Sequence, residues 1–146
     1  MAIMETRELL EQFTARGHRN VQACHKTTLE FTKESTVTLR GDCVLGVSAS
    51  ISPVEFKEET KSLLQSARDF VVEIRVADLF DEFRGKGNAG LSLDNDREMV
   101  FRKSNFISGR TVLVACTKAA SDLDGRIRLA AMQDDRQIRV SLYLID

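Results

Sequence analysis

The chain has 146 residues, 42% of them hydrophobic and 29% charged, the make-up of an ordinary globular protein long enough to bury a core without staples. A net charge of −1 excludes a global field that would draw it to nucleic acid or to a membrane surface. Charge is nevertheless uneven: residues 51–100 hold 7 basic and 11 acidic side chains, and residues 101–146 hold 8 and 5, so a local basic face stays open.

The N-terminal MAIMETRELLEQF lacks the apolar segment of a secretory signal, and no run approaches the roughly 18 apolar residues of a membrane span. Three cysteines at unrelated spacings point to free thiols in a reducing cytoplasm. No linker, repeat or low-complexity stretch interrupts the chain, which reads as one domain over residues 1–146.

In chain order, Gly17-His18-Arg19-Asn20 reads as a reversal, because glycine and asparagine tolerate positive φ. Thr27–Thr32 alternates, with Leu29 and Phe31 on one face and Thr28, Glu30 and Thr32 on the other, as a strand does. Cys43–Ala49 is almost wholly apolar and reads as a central strand. Ser52-Pro53-Val54-Glu55 spells an N-cap, a proline at the first helical position and a capping-box glutamate. With Phe56, Thr60, Leu63, Leu64 and Ala67 at helical spacing, a helix is expected from about Pro53 to Asp69.

Phe70, Val72, Ile74 and Val76 form one face of a further strand. Met99–Phe101 and Thr111–Cys116 read as strands as well. A second helix is expected from Asp122 to about Gln133, with Ser121 and Asp124 as caps, Leu123, Ile127 and Ala131 as a stripe, and Gly125 weakening it by about 1 kcal/mol relative to alanine. Ile138, Val140, Leu142 and Leu144 give a final strand. Strands broken by two helices predict an α+β, β-rich fold, mainly antiparallel and sandwich-like.

Gly85-Lys86-Gly87-Asn88-Ala89-Gly90 spells a dinucleotide fingerprint, but no helix follows to aim its N-terminus at a pyrophosphate, so a glycine-rich hairpin is expected. Arg40-Gly41-Asp42 is a turn before a strand. No CxxC, HExxH or calcium-loop pattern is present, and no metal site is expected.

His18 and His25 fall close together. On one extended strand they would stand roughly 20 Å apart, which argues against a shared metal. By strand parity His25 joins the apolar face of Leu29 and Phe31, where Asp42 and Cys43 are candidate neighbours. An aspartate would orient its ring and raise its pKa, and a cysteine could serve as a thiolate nucleophile. A second pattern sets basic beside hydroxyl residues: His25-Lys26-Thr27-Thr28, Thr32-Lys33, Arg102-Lys103-Ser104, Gly109-Arg110-Thr111 and Thr117-Lys118. Phosphate recognition uses such groups; a solvated strand face uses them too.

GHRNVQACHKTTLEFTKE, RGDCVLGVSA and MVFRKSNFISGRTVLVACTKAASDL, in that order, resemble a mostly archaeal family known as Domain of Unknown Function 371, from about Gly17 to Leu129. The resemblance implies a β-rich, sandwich-like domain with added helices and an archaeal cytoplasm, and it implies no activity or cofactor. An aspartate usually stands in the family where Thr117 stands here, and a hydroxyl residue where Cys24 stands. His18, His25, Asp42, Cys43, Arg102, Lys103, Arg110 and Lys118 match the pattern.

Two function classes follow. The first is a binding domain or enzyme for a phosphorylated small molecule or RNA, held by His18, Lys26, Arg102, Lys103, Arg110 and Lys118, with His25 and Asp42 for acid–base chemistry. The alternative is a thiol- or metal-dependent enzyme centred on Cys43, His25 and Asp42, or a protein-interaction module at a sheet edge. With 6% aromatic residues and no Trp, single-stranded nucleic acid would lack stacking platforms. The first class predicts that the three motifs meet at one end of the sheet.

Overall fold

Alternation of apolar and polar residues builds two four-stranded sheets. The computed structural model describes residues 5–146; the first four residues, part of the N-terminal stretch read above for an export signal, lie outside the described residues. In order come β1 (Arg7–Arg16), β2 (Thr28–Thr32), β3 (Val44–Gly46), α1 (Glu58–Leu64), β4 (Asp69–Val76), β5 (Leu79–Lys86), β6 (Glu98–Arg102), β7 (Thr111–Leu113), α2 (Gly125–Ala131) and β8 (Gln137–Ile145). A 3₁₀ turn precedes each helix, at Pro53–Glu55 and at Ala120–Asp122.

The first sheet runs β1-β8-β4-β5 and is antiparallel throughout. The second runs β3-β2-β6-β7, antiparallel between β2 and β6 and parallel at both edges. The fold is therefore α+β and β-rich, with mostly antiparallel sheets, as the strand pattern predicts. Ile74 and Val76 of β4, Val140 and Leu142 of β8, Leu29 and Phe31 of β2, and Met99 and Phe101 of β6 share one buried core.

Through that core Phe13, Phe31, Phe101 and Phe83 form an edge-to-face series, with successive ring centroids 5.5, 6.2 and 5.6 Å apart. Such pairs contribute about 0.5–1.5 kcal/mol each beyond their buried area. Single antiparallel bridges, Arg16 to Val47 and Lys86 to Val114, tie the edges of one sheet to those of the other. The two sheets are thus joined at the ends of β1 and β5.

The sequence shows no repeat, but the structure has one. β1-β2-β3-α1-β4 is followed by β5-β6-β7-α2-β8 with the same pairings. Phe13 corresponds to Phe83 and Phe31 to Phe101, which makes the aromatic series symmetric. Non-glycine residues with positive φ recur in step: Ala23 with Leu93, and Ser48 with Ala115.

The halves are interlocked rather than side by side. Gly17 packs on the carbonyls of Ala131 and Gln133 at the end of α2, and Gly87 packs on those of Leu64 and Ser66 at the end of α1. The next residues donate to the same turns, His18 N to Ala131 O and Asn88 N to Leu64 O, both at 2.9 Å. Each half therefore satisfies helix-terminal carbonyls of the other. Gly87 is required by this close approach, and Gly85–Gly90 ends β5 and enters a loop rather than closing a hairpin.

Both helices are shorter than the periodicity predicts. The Ser52 capping box forms, with the Glu55 carboxylate accepting from Ser52 N at 2.7 Å, but it closes only a 3₁₀ turn. Phe56 is then extended, with ψ 148°, and its ring enters the core. The helix restarts at Glu58 after Lys57 N donates to the buried Glu11 carboxylate at 2.9 Å. In the second half Asp124 caps α2 by accepting from Arg126 N at 2.8 Å. β1 and β5 were not expected from the sequence: charged residues dilute their alternation, and a register shift between Leu9 and Glu11 breaks it in β1. No helix among the described residues is long and apolar enough to cross a membrane.

Candidate functional site

The local twofold relation of the halves passes between the central strands of each sheet. In the second sheet it passes between Glu30 of β2 and Val100 of β6, which are direct cross-strand partners. Leu29 and Phe31 enter the core, so Glu30 points to the outer face. At Glu30 that face is covered. Glu30 is only 7% exposed, because side chains from the segments entering β3 and β7 lie over it.

Cys43 and Arg110 occupy equivalent places there: Glu30 N donates to Cys43 O and Val100 N to Arg110 O, both at 2.9 Å. The same relation that equates their backbones leaves their side chains different. The Cys43 thiol donates to Glu30 Oε1 at 3.7 Å. Arg110 Nη1 donates to Glu30 Oε1 at 3.2 Å and to Glu98 Oε2 at 2.7 Å. Glu98, diagonal to Glu30 across the strand pair, brings its carboxyl within hydrogen-bonding reach.

Burial and the neighbouring Glu98 push the Glu30 carboxyl up to about 7. Burial also acts on Glu98, but hydrogen bonds from Glu30 and Arg110 hold its carboxyl below the usual range. Glu30 therefore holds its proton more tightly than Glu98, which is the more exposed of the two. Burial, with the Glu30 carboxylate second, pushes the Cys43 thiol up to about 12. A thiol so placed is protonated at neutral pH and is a poor nucleophile.

Arg102 completes the cluster. Its Nε donates to Thr111 Oγ1 at 2.9 Å and its Nη2 to Ser108 Oγ at 3.0 Å, and its guanidinium lies 5.0 Å over the Phe106 ring. Burial, and after it the charge of Arg110, lowers its pKa, so the two guanidinium groups are close enough to feel each other.

The three sequence motifs do approach one another. Asp42 O accepts from Cys24 N at 2.9 Å and His25 N at 3.1 Å, and Ser121, near Lys118, donates its amide to His25 O at 3.1 Å. Their side chains do not form the expected constellation. His25 lies in the loop before β2, half-buried, and not on the apolar strand face. Its Nδ1 accepts from Thr27 N at 3.2 Å, while the thiol of Cys43 turns to Glu30 instead. The chain bends at Lys26-Thr27, ahead of the strand that starts at Thr28, and this breaks the parity on which the expectation rested.

The basic residues separate likewise. Lys103 pairs with Asp122 at 3.1 Å and Lys118 with Asp81 at 2.5 Å, and Lys26 is exposed. His18 accepts from Asn20 N at 3.0 Å through Nδ1 and lines a cleft with Arg19, Ser35 and Asp134. Of the expected cations, Arg102 and Arg110 come together at the Glu30 cluster. Among the described residues no group of three or more His, Cys, Asp or Glu side chains is placed to hold a metal ion. Glu30 and Glu98 were missed because strand parity alone puts Glu30 in solvent. A lone glutamate flanked by Thr28 and Thr32 in a short strand was the available signal.

Comparison with known proteins places the chain. It matches the family described as Domain of unknown function (DUF371) over residues 13–145, and it belongs to that family. It is 43% identical over 113 residues to an uncharacterized protein of Methanocaldococcus jannaschii, covering 77% of this chain and 84% of that one. It is also 32% identical over 127 residues to peptide chain release factor 1 of Chloroherpeton thalassium, covering 76% of this chain but 33% of the release factor.

Proposed function

We propose that this member of the DUF371 family binds a small anionic ligand, phosphate- or carboxylate-bearing, on the outer face of its second sheet, and that Glu30 exchanges a proton with it. The observation that carries this reading is Glu30 itself: a carboxyl buried beside Cys43, Arg110 and Glu98, where the other half of the fold has Val100, and pushed by that burial up to about 7. A group with that pKa is matched to acid–base work at neutral pH. Arg102, held by two hydroxyls and a ring rather than by a carboxylate, supplies the charge that an anion would meet.

With Glu30 protonated, the set Glu30, Glu98, Arg102 and Arg110 carries one net positive charge; with Glu30 ionised it carries none. Anion binding is then tighter below pH 7. The thiol-dependent alternative has less support, since Cys43 is protonated and paired with Glu30 rather than with His25.

The test is calorimetric titration with sulfate, which does not itself titrate in this range, and with inorganic phosphate, at pH 6 and pH 8 and constant ionic strength. Sulfate is expected to bind about tenfold more tightly at pH 6, the effect of one added charge at a partly screened site. Arg102→Ala should abolish that binding, and Glu30→Gln should remove its pH dependence. Binding unaffected by both substitutions would refute the reading. A short RNA that binds where both small anions fail would move the reading to the other phosphate-bearing class.

A further inference from the structure

The outer face of the first sheet holds an arginine cluster that lies apart from Glu30. Arg75 of β4 and Arg139 of β8 are direct cross-strand partners. Ile74 and Val76, and Ile138 and Val140, enter the core on either side of them, so both guanidinium groups lie on the outward face. Like charges placed directly opposite in an antiparallel pair repel each other. Arg136, just ahead of β8, adds a third, and together with Ala77 and Gln137 they line a groove of about 330 Å³.

Among the described residues Arg136 and Arg139 form no ion pair, and Arg75 forms one long one. The carboxylate paired with Arg75 is Glu73, at 3.9 Å, and it is already engaged by Arg7 and by the Tyr143 hydroxyl, both at 3.4 Å. Two of the arginines are held in place. Arg75 lies 4.7 Å over the Phe80 ring, and Arg136 Nε donates to Gln133 Oε1 at 3.0 Å.

The twofold relation sharpens the contrast. At the other end of the sheet the corresponding positions are Tyr143 for Arg75, Val71 for Arg139 and Arg68 for Arg136, and Arg68 is paired with Asp146 at 3.1 Å. The cluster is therefore a feature of one end, not a by-product of the repeated fold.

We propose that this groove is a second ligand site, for the phosphate group of a small phosphorylated molecule. Three guanidinium forks around one concavity suit a phosphate dianion, whose oxygens accept paired hydrogen bonds that a single carboxylate cannot fully use. Arg75 and Arg136, already oriented, lose little freedom on binding, and a bound anion relieves the Arg75–Arg139 repulsion. Among the described residues no aromatic one lines the groove, which favours a small molecule over a nucleic-acid strand that would need stacking.

The site stands independently of the Glu30 reading, and amide chemical-shift mapping on the full chain separates the two. Inorganic phosphate and glycerol 3-phosphate, titrated at constant ionic strength, should give saturable shifts at the amides of Arg75, Ala77, Gln137 and Arg139. Arg139→Ala should weaken that binding at least tenfold without altering the melting temperature appreciably, because the side chain is on the surface. Arg102→Ala should leave it unchanged. Shifts that do not saturate, or that disappear in Arg102→Ala, would overturn the proposal. So would groove shifts produced only by a single-stranded RNA and growing with its length.

Discussion

Glu30 costs the fold stability at the pH where it is ionised. Its carboxyl has an ordinary value of 4.5 and is raised to about 7 in the folded chain. Between those values the folded protein keeps a proton that the unfolded chain releases, so stability falls as pH rises from about 4.5 to 7 and stays low above. The full penalty is up to about 3 kcal/mol. The opposite shift of Glu98 adds stability that is lost only at lower pH, as its own carboxyl protonates. Glu30→Gln keeps the shape and a donor towards Glu98 while deleting the charge. Urea unfolding at pH 8 should find the variant more stable than the wild type by about 1–3 kcal/mol, with the gap closing by pH 5. A variant destabilised equally at both values would mean that the Arg110–Glu30 ion pair outweighs the burial of the carboxylate.

Each helix ends on a glycine from the opposite half, and that contact explains more of the fold than helix propensity does. α1 and α2 are seven residues each, too short to persist alone. They persist because β1 and β5 run directly into Gly17 and Gly87, which place backbone donors on their last turns. A methyl group at either glycine would overlap carbonyl oxygens that belong to backbone and cannot swing aside. Gly17→Ala and Gly87→Ala should therefore each destabilise by roughly 2 kcal/mol or more, and thermal unfolding should show similar losses for the two; a loss at one alone would mean the halves are not equivalent at this contact. The sequence made the central elements legible, since β2, β4 and β8 alternate cleanly and Ser52-Pro53-Val54-Glu55 announces its turn. It hid β1 and β5, whose pattern is carried by side chains that meet partners from distant segments, such as Arg7 with Glu73 and Glu82. It hid the Glu30 cluster for the same reason: what buries Glu30 is Cys43 and Arg110, brought from two separate loops.

The duplicated architecture escaped sequence inspection because the halves share few letters beyond Phe13 and Phe83, Phe31 and Phe101, and Gly17 and Gly87. Ala23 and Leu93, or Ser48 and Ala115, agree in backbone conformation but not in side chain. The segment between β6 and β7 is also shorter than that between β2 and β3, which destroys any fixed repeat period. At the scale of the whole molecule the duplication makes a strong statement about connectivity. The β4–β5 hairpin at Ala77-Asp78 joins one half to the next. The start of β1 and the end of β8 stand in the same relation: Arg7 pairs with Ile145, and Asp146 N donates to Thr6 O at 3.0 Å. A chain opened between Ala77 and Asp78, with Asp146 joined to Glu5 by a short glycine-serine linker, should exchange the order of the halves and keep every strand pairing. Unfolding of that permutant in urea should remain a single transition with an unchanged m-value, at a cost of about 1–3 kcal/mol for the altered hairpin and linker. Its amide spectrum should differ from the parent only near Ala77, Asp78 and the new junction. A permutant with a broad transition and a shallow m-value would show that the β4–β5 hairpin, and not the symmetric closure of the two sheets, holds the halves together.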